Sequence, residues 1–144
     1  MEKPENTPID VENNVGFLLA KAYQRACLIF KEHFDQYDLT PQQFGLLCFL
    51  WREDGISQAV LSAKSQIDRT TMGGLIDRLQ KEGLVERRPD PADRRAYRVC
   101  LTEKGKALGP ELAPIALRAQ GEFIAKLEQH EVETLKSLLN KIRN

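Results

Sequence analysis

Five arginines fall between residues 87 and 98, at 87, 88, 94, 95 and 98, against two acidic residues, Asp90 and Asp93. Guanidinium groups make forked, charge-assisted contacts with phosphate oxygens, and the negative potential of a narrow nucleic-acid groove attracts them. A run of this kind also suits an ordinary solvated turn, so its composition alone leaves both readings open. The excess is regional. Lys64 to Lys106 carries eleven basic and seven acidic residues, while the chain of 144 residues holds 21 of each and has a formal charge of zero. A neutral total argues against indiscriminate polyanion binding; a local surplus argues for one face that meets phosphate.

Other chemistry is poorly supported. The sequence contains no G-x-S-x-G, Walker loop or H-E-x-x-H, so nothing supplies a nucleophile, base and oxyanion donor together, and no enzymatic activity is expected. Cys27, Cys48 and Cys100 lack C-x-x-C spacing, and His33 and His130 have no cysteine or carboxylate cluster beside them. Neither a metal nor a cofactor is therefore expected. The longest apolar run is the six residues Leu46 to Trp51, against the roughly 20 a membrane-spanning helix needs. A polar, acidic N-terminus shows no secretory leader, which predicts a cytoplasmic protein. With 42% hydrophobic and 29% charged residues, the chain reads as a soluble domain able to build one core.

The elements that must position the arginines are legible from periodicity and caps. Residues 1–10 carry two prolines and predict a loose arm. Apolar residues at 15, 18, 19, 22, 26, 29, 30, 34 and 37 follow the three-and-four spacing of a long helix over Val15 to Tyr37. Thr40-Pro41-Gln42-Gln43 opens a second helix, expected to end near Asp54: an N-cap, a proline at the first helical position, and a glutamine three residues after the cap. Ser57 caps a short third helix. Asp68 or Thr70 starts a fourth, whose stripe is Met72, Leu75, Ile76 and Leu79 and whose stop is Gly83. Two helices joined this closely form a helix-turn-helix.

The period then shortens. Residues 84–88 and 96–101 are strand-like, and Pro89 to Asp93 is turn-rich, which predicts a β-hairpin with a basic tip. Thr102 caps a further helix, and Pro110 and Pro114 predict a kink or break near 109–114. A last amphipathic helix starts near Glu131. Helix-turn-helix followed by such a hairpin is a winged helix: mainly α, with a small β wing. Duplex DNA offers a wide groove that admits a helix and a narrow one that attracts arginine, so DNA is the partner this order suits.

The stretches Ile67 to Leu79, Glu82 to Arg87, Asp90 to Ala96 and Val99 to Gly105 resemble the MarR family of bacterial transcriptional regulators. The most specific part is D-x-R-x-x-x-V-x-L-T-x-x-G, matched by Asp93, Arg95, Val99, Leu101, Thr102 and Gly105. The resemblance implies a homodimeric repressor that binds a palindromic operator. It implies dimerisation through residues 11–37 and 103–144, and DNA binding by residues 38–102. On matching positions, Arg95 would enter the minor groove, Arg94 would touch backbone, and Asp93 would hold the wing tip by pairing with an arginine. Thr70, Thr71, Gly73 and Gly74 would face the major groove, flanked by Ser57, Arg69 and Arg78.

Gly73 and Gly74 depart from the family, whose members often carry polar and basic residues there. Each glycine costs a helix about 0.8–1.0 kcal/mol relative to alanine; bare backbone, in exchange, permits closer approach to DNA. Loss of DNA binding, leaving a protein-interaction module, is the alternative these glycines raise. Ser65 and Gln66 also replace the usual apolar residue and glycine of the motif turn. Relatives commonly answer to small aromatic or phenolic acids, and Tyr23, His33 and Trp51 are the residues here that suit such a ligand. The family's peroxide-sensing cysteine is replaced by Gly16, so a thiol-based response would fall to Cys27.

Overall fold

The second helix starts where its cap directs. Thr40 Oγ1 accepts from Gln43 N and Gln43 Oε1 accepts from Thr40 N, so two N-terminal amides of the helix are satisfied reciprocally. The computed structural model describes residues 8–144. After a 3-10 turn at Val11–Asn13 come α1 (Val15–His33), α2 (Pro41–Arg52), β1 (Ile56–Ser57), α3 (Gln58–Ser65), α4 (Arg69–Lys81), β2 (Val85–Pro89), β3 (Tyr97–Leu101), α5 (Glu103–Phe123) and α6 (Gln129–Arg143). Of the expected N-terminal arm, residues 1–7 lie outside the described residues, and Pro8 to Asp10 are exposed without regular structure. Among the described residues no helix is long and apolar enough to cross a membrane.

The described residues form two compact units, one of residues up to His33 with Ala119–Asn144, the other Phe34–Arg118. In the second unit, Leu46, Leu47 and Leu50 of α2, Leu61 of α3, and Met72, Leu75, Ile76 and Leu79 of α4 bury against Val85, Val99 and Leu101 of the sheet. Each such side chain contributes about 1.5–3 kcal/mol by leaving water. The strands lie in the order β1-β3-β2, all antiparallel, with Val85 opposite Leu101 and Pro89 opposite Tyr97. In the first unit Ile29, Ala119 and Val132 are buried. Val15, Leu18, Tyr23 and Leu28 of α1 and Leu135, Leu138 and Ile142 of α6 are exposed, leaving apolar faces open on both helices.

Three expectations are corrected. The helix predicted to reach Tyr37 ends at His33, because Phe34 turns inward, only 2% exposed, and packs on Phe44 at 5.2 Å. Of the kink or break predicted at the prolines, the break does not occur: α5 runs without interruption from Glu103 to Phe123. Pro110 and Pro114 sit four apart at exposed positions of the helix, and Leu112 between them is fully buried. The two-residue β1, which extends the hairpin into a three-stranded sheet, carries no sequence signal of its own: it is held by pairing with Val99 and Arg98.

The end of the wing signature is explained by packing. Thr102 Oγ1 donates to Gly83 O and accepts from Gly105 N, and a Cβ on Gly105 would collide with Leu84 O. Glycine there lets α5 rest directly on the backbone that leads into β2.

Candidate nucleic-acid interface

Each helix of the motif is started by its own side chain. Ser57 Oγ accepts from Val60 N at 3.1 Å to open α3. Asp68 opens α4, one carboxylate oxygen accepting from Thr71 N at 2.9 Å and the other from Thr71 Oγ1 at 2.8 Å. These bonds, the backbone one first, hold the Asp68 carboxyl below the usual aspartate range. They also commit the Thr71 hydroxyl proton, so toward any ligand Thr71 is left as an acceptor and a methyl group. Between the helices Gln66 takes a left-handed conformation, φ 57° and ψ 32°, at the position where glycine would be free of strain.

On α4, Arg69, Thr70, Gly74 and Arg78 are exposed. A Cβ on Gly74 would meet nothing within 4 Å, and one on Gly73 only Gln58 Nε2 at 3.9 Å. Packing within the chain therefore demands neither glycine. What their absence of side chains leaves is a stretch of bare helix surface.

The wing tip is a set of nested turns. Asp90 N donates to Ala96 O, Asp90 Oδ1 accepts from Ala92 N, and Asp93 Oδ1 accepts from Arg95 N at 2.9 Å. Here the structure corrects one expectation. The ion pair with an arginine is made by Asp90, 3.6 Å from Arg98 Nε, while Asp93 shapes the tip through the Arg95 backbone. The wing arginines thus divide by partner. Arg87, Arg88 and Arg98 are paired with Asp77, Glu86 and Asp90, and Arg94 and Arg95, like Arg69 and Arg78 of α4, make no ion pair among the described residues.

Arg87 was not singled out by sequence. Its Nη1 donates to Asp77 Oδ1 at 2.6 Å and Gln80 Oε1 at 3.1 Å, its Nη2 to Gly73 O at 3.2 Å, and its Nε to Gln58 Oε1 at 3.2 Å. One guanidinium thereby fastens β2 to both helices of the motif. The available signal was the strand's period of two, since Arg87 shares a face with buried Val85 and so had to point inward.

The residues suited to a ligand fall in different units. Tyr23 and His33 belong to the first, Trp51 to the second. Tyr23 is exposed, and a hydrogen bond with Cys27 raises its phenol above the usual range. His33 Nε2 lies 2.7 Å from Glu122 Oε2. Trp51 Nε1 donates to Gly105 O at 2.9 Å, and a cavity of about 530 Å3 opens beside its ring, walled by Leu50, Leu101, Gly109 and Pro110, with Asp54 and Lys106 as its charged members. Burial pushes the Cys48 thiol up, away from reactive thiolate.

Residues 39–97 match the MarR family model. Over 138 residues the chain is 39% identical to the HTH-type transcriptional repressor NicR of Pseudomonas putida, covering 96% of this chain and 87% of that protein. The chain belongs to the MarR family. Transcriptional regulator HosA of Escherichia coli is 29% identical over 129 residues, 86% of this chain and 96% of that one. Among solved structures, BpsR of Bordetella bronchiseptica, whose DNA binding is regulated by 6-hydroxynicotinic acid, superposes with a TM-score of 0.89 at 34% identity, covering 96% of this chain and 99% of that one. A cysteine-to-serine mutant of MarR from Escherichia coli, complexed with operator DNA, gives 0.86 at 28% identity, covering 94% and 99%. The winged-helix fold is thus common to this chain and to family members.

Proposed function

We propose that this MarR-family chain is a DNA-binding transcriptional regulator of the repressor type, acting in the cytoplasm as a homodimer on a palindromic operator. One observation carries the reading: within a single compact unit, the bare surface of α4 and the unpaired arginines of the wing tip are fastened to one another through Arg87. Two elements held at fixed spacing, one a helix and one a cationic loop, match the wide and narrow grooves of a duplex. Arg95 is assigned to the minor groove and Arg94 to backbone; Thr70, Thr71, Gly73 and Gly74 face the major groove with Ser57, Arg69 and Arg78 around them. The open apolar faces of α1 and α6 support pairing with a second copy, which sets two half-sites about one helical turn apart.

Release by a small aromatic or phenolic acid is the regulatory part of the proposal. Its support is the similarity to BpsR and the apolar cavity beside Trp51; Tyr23 and His33 are further candidates for ligand contact. The test is fluorescence anisotropy on a duplex from the chain's own upstream intergenic region. Binding should weaken steeply with salt, Arg95→Ala should lose it, and 6-hydroxynicotinate is the first effector to add. Absence of any salt-dependent binding at low ionic strength refutes the reading and leaves a protein-interaction module.

A further inference from the structure

Leu101 borders the cavity beside Trp51, and its amide is held by another member of the same wall. Leu101 N donates to Asp54 Oδ1 at 2.8 Å, within the second unit. The shortness of β1 explains this bond. Backbone pairing sets Ile56 opposite Val99 and Ser57 opposite Arg98. Continued by two residues, that register puts Asp54 opposite Leu101, where the chain is still in the turn after α2. The Asp54 carboxylate stands in for the missing strand carbonyl and closes an otherwise open sheet edge with a charge-assisted bond. Its second oxygen makes no hydrogen bond among the described residues, and Asp54 is exposed, so a donor can reach it. Lys106 Nζ, the cation of the same wall, has one partner among the described residues, Glu103 Oε1 at 3.4 Å. From Leu101, β3 runs back to Tyr97 beside the wing tip, and Leu101 stands opposite Val85, two residues before Arg87. A change at the Leu101 amide therefore bears on both elements assigned to DNA.

We infer that Asp54 is the residue through which the cavity governs the wing, and that it selects aromatic acids whose ring also carries an N–H or O–H. The inference rests on the effector reading above. Lys106 takes the acid group of such a ligand, and the ring donor goes to Asp54. A donor on this carboxylate divides the acceptor on which Leu101 N depends. The ring itself lies against the Leu101 side chain, so both demands fall on one residue. The outer rung of β3 is then lost, and with it the fixed spacing of wing and α4. An aromatic acid without a ring donor fills the same cavity and leaves the rung in place.

Trp51 is the one tryptophan of the chain, so its emission reports occupancy of the cavity separately from release of DNA. Wild type, Asp54→Asn and Asp54→Ala are titrated with 6-hydroxynicotinate, which has a ring donor, and with nicotinate, which lacks one. Anisotropy of the upstream duplex and the amide NMR signal of Leu101 are followed in parallel. In wild type both acids should change Trp51 emission. Only 6-hydroxynicotinate should shift the Leu101 amide and weaken duplex binding, by roughly 5- to 150-fold, the ordinary range of coupling between two sites. Asp54→Asn keeps an oxygen for Leu101 N and puts an NH2 group, which cannot accept, where the second oxygen was. It should bind the duplex and stay bound when 6-hydroxynicotinate is added. Asp54→Ala strands the Leu101 amide and should bind about tenfold more weakly with no effector present. Release of Asp54→Asn to the wild-type extent, or release of wild type by nicotinate, overturns the role of Asp54 and leaves the effector-responsive regulator standing. Release with unchanged Trp51 emission puts the effector elsewhere and overturns it too. Duplex binding that neither acid alters removes the effector reading and this inference together, and no duplex binding by wild type removes the regulator as well.

Discussion

Arg87 Nη1 lies 2.6 Å from Asp77 Oδ1, and this bond ties the second strand of the sheet to the middle of the helix assigned to the wide groove. The remaining bonds of Arg87, to Gln58, Gln80 and Gly73 O, make it a positioning residue rather than a DNA contact. Arg87→Ala should cost about 1–2 kcal/mol in urea unfolding, discounted because Asp77 is largely exposed. It should weaken operator binding without changing the slope of log affinity against log salt. Arg95→Ala, by contrast, should lower that slope by about one. Equal slope changes in the two variants would count against the division into structural and DNA-facing arginines.

Gly74→Ala tests the bare helix surface directly. A methyl group there meets nothing in the chain. The variant should therefore gain about 0.8–1.0 kcal/mol of stability and lose operator affinity, with thermal melting and anisotropy read on the same preparation. Gains in both would show that close approach of the backbone is not used.

Gln66 stands alone among the described non-glycine residues in having a positive φ. Gln66→Gly should remove left-handed strain of about 1 kcal/mol, partly offset by the greater freedom of glycine in the unfolded chain. A rise in the urea midpoint with unchanged DNA affinity is the expected result.

The acid limb of stability should carry the signature of Asp68. Its carboxyl is held down by the Thr71 bonds, so its contribution is complete above the unfolded value of about 4 and is lost as pH falls through the lower folded value. Asp68→Asn should flatten stability against pH in that range. Glu82 works in the opposite sense: burial, then the neighbouring Asp38, raises its carboxyl, so the native state is penalised once Glu82 ionises. Glu82→Gln should relieve that penalty at neutral pH, and urea midpoints between pH 3 and pH 7, taken as an approximate working range for carboxylates, distinguish the two.

Leu138 is 51% exposed in the single chain, so a charge placed there does not disturb a core. Leu138→Glu should shift sedimentation from dimer to monomer and abolish cooperative operator binding. A wild-type chain that sediments as a monomer at micromolar concentration would remove the two-fold operator from the proposal.

What was legible in the sequence is what acts over one turn of chain. Thr40 with Gln43, Ser57 with Val60 and Asp68 with Thr71 are contacts three residues apart, so the starts of α2, α3 and α4 follow from residue order alone. The hairpin and its arginine-rich tip were equally readable, because strand period and turn residues are local. Tertiary structure decided the rest. That Arg87 is spent on the fold depends on partners far along the chain, Gly73 fourteen residues away and Gln58 twenty-nine. Asp90 rather than Asp93 takes the ion pair because the hairpin register brings Arg98 back to it. Continuity of α5 through two prolines and the early end of α1 at Phe34 were likewise set by burial, the sum over neighbours from the whole chain that no local window contains.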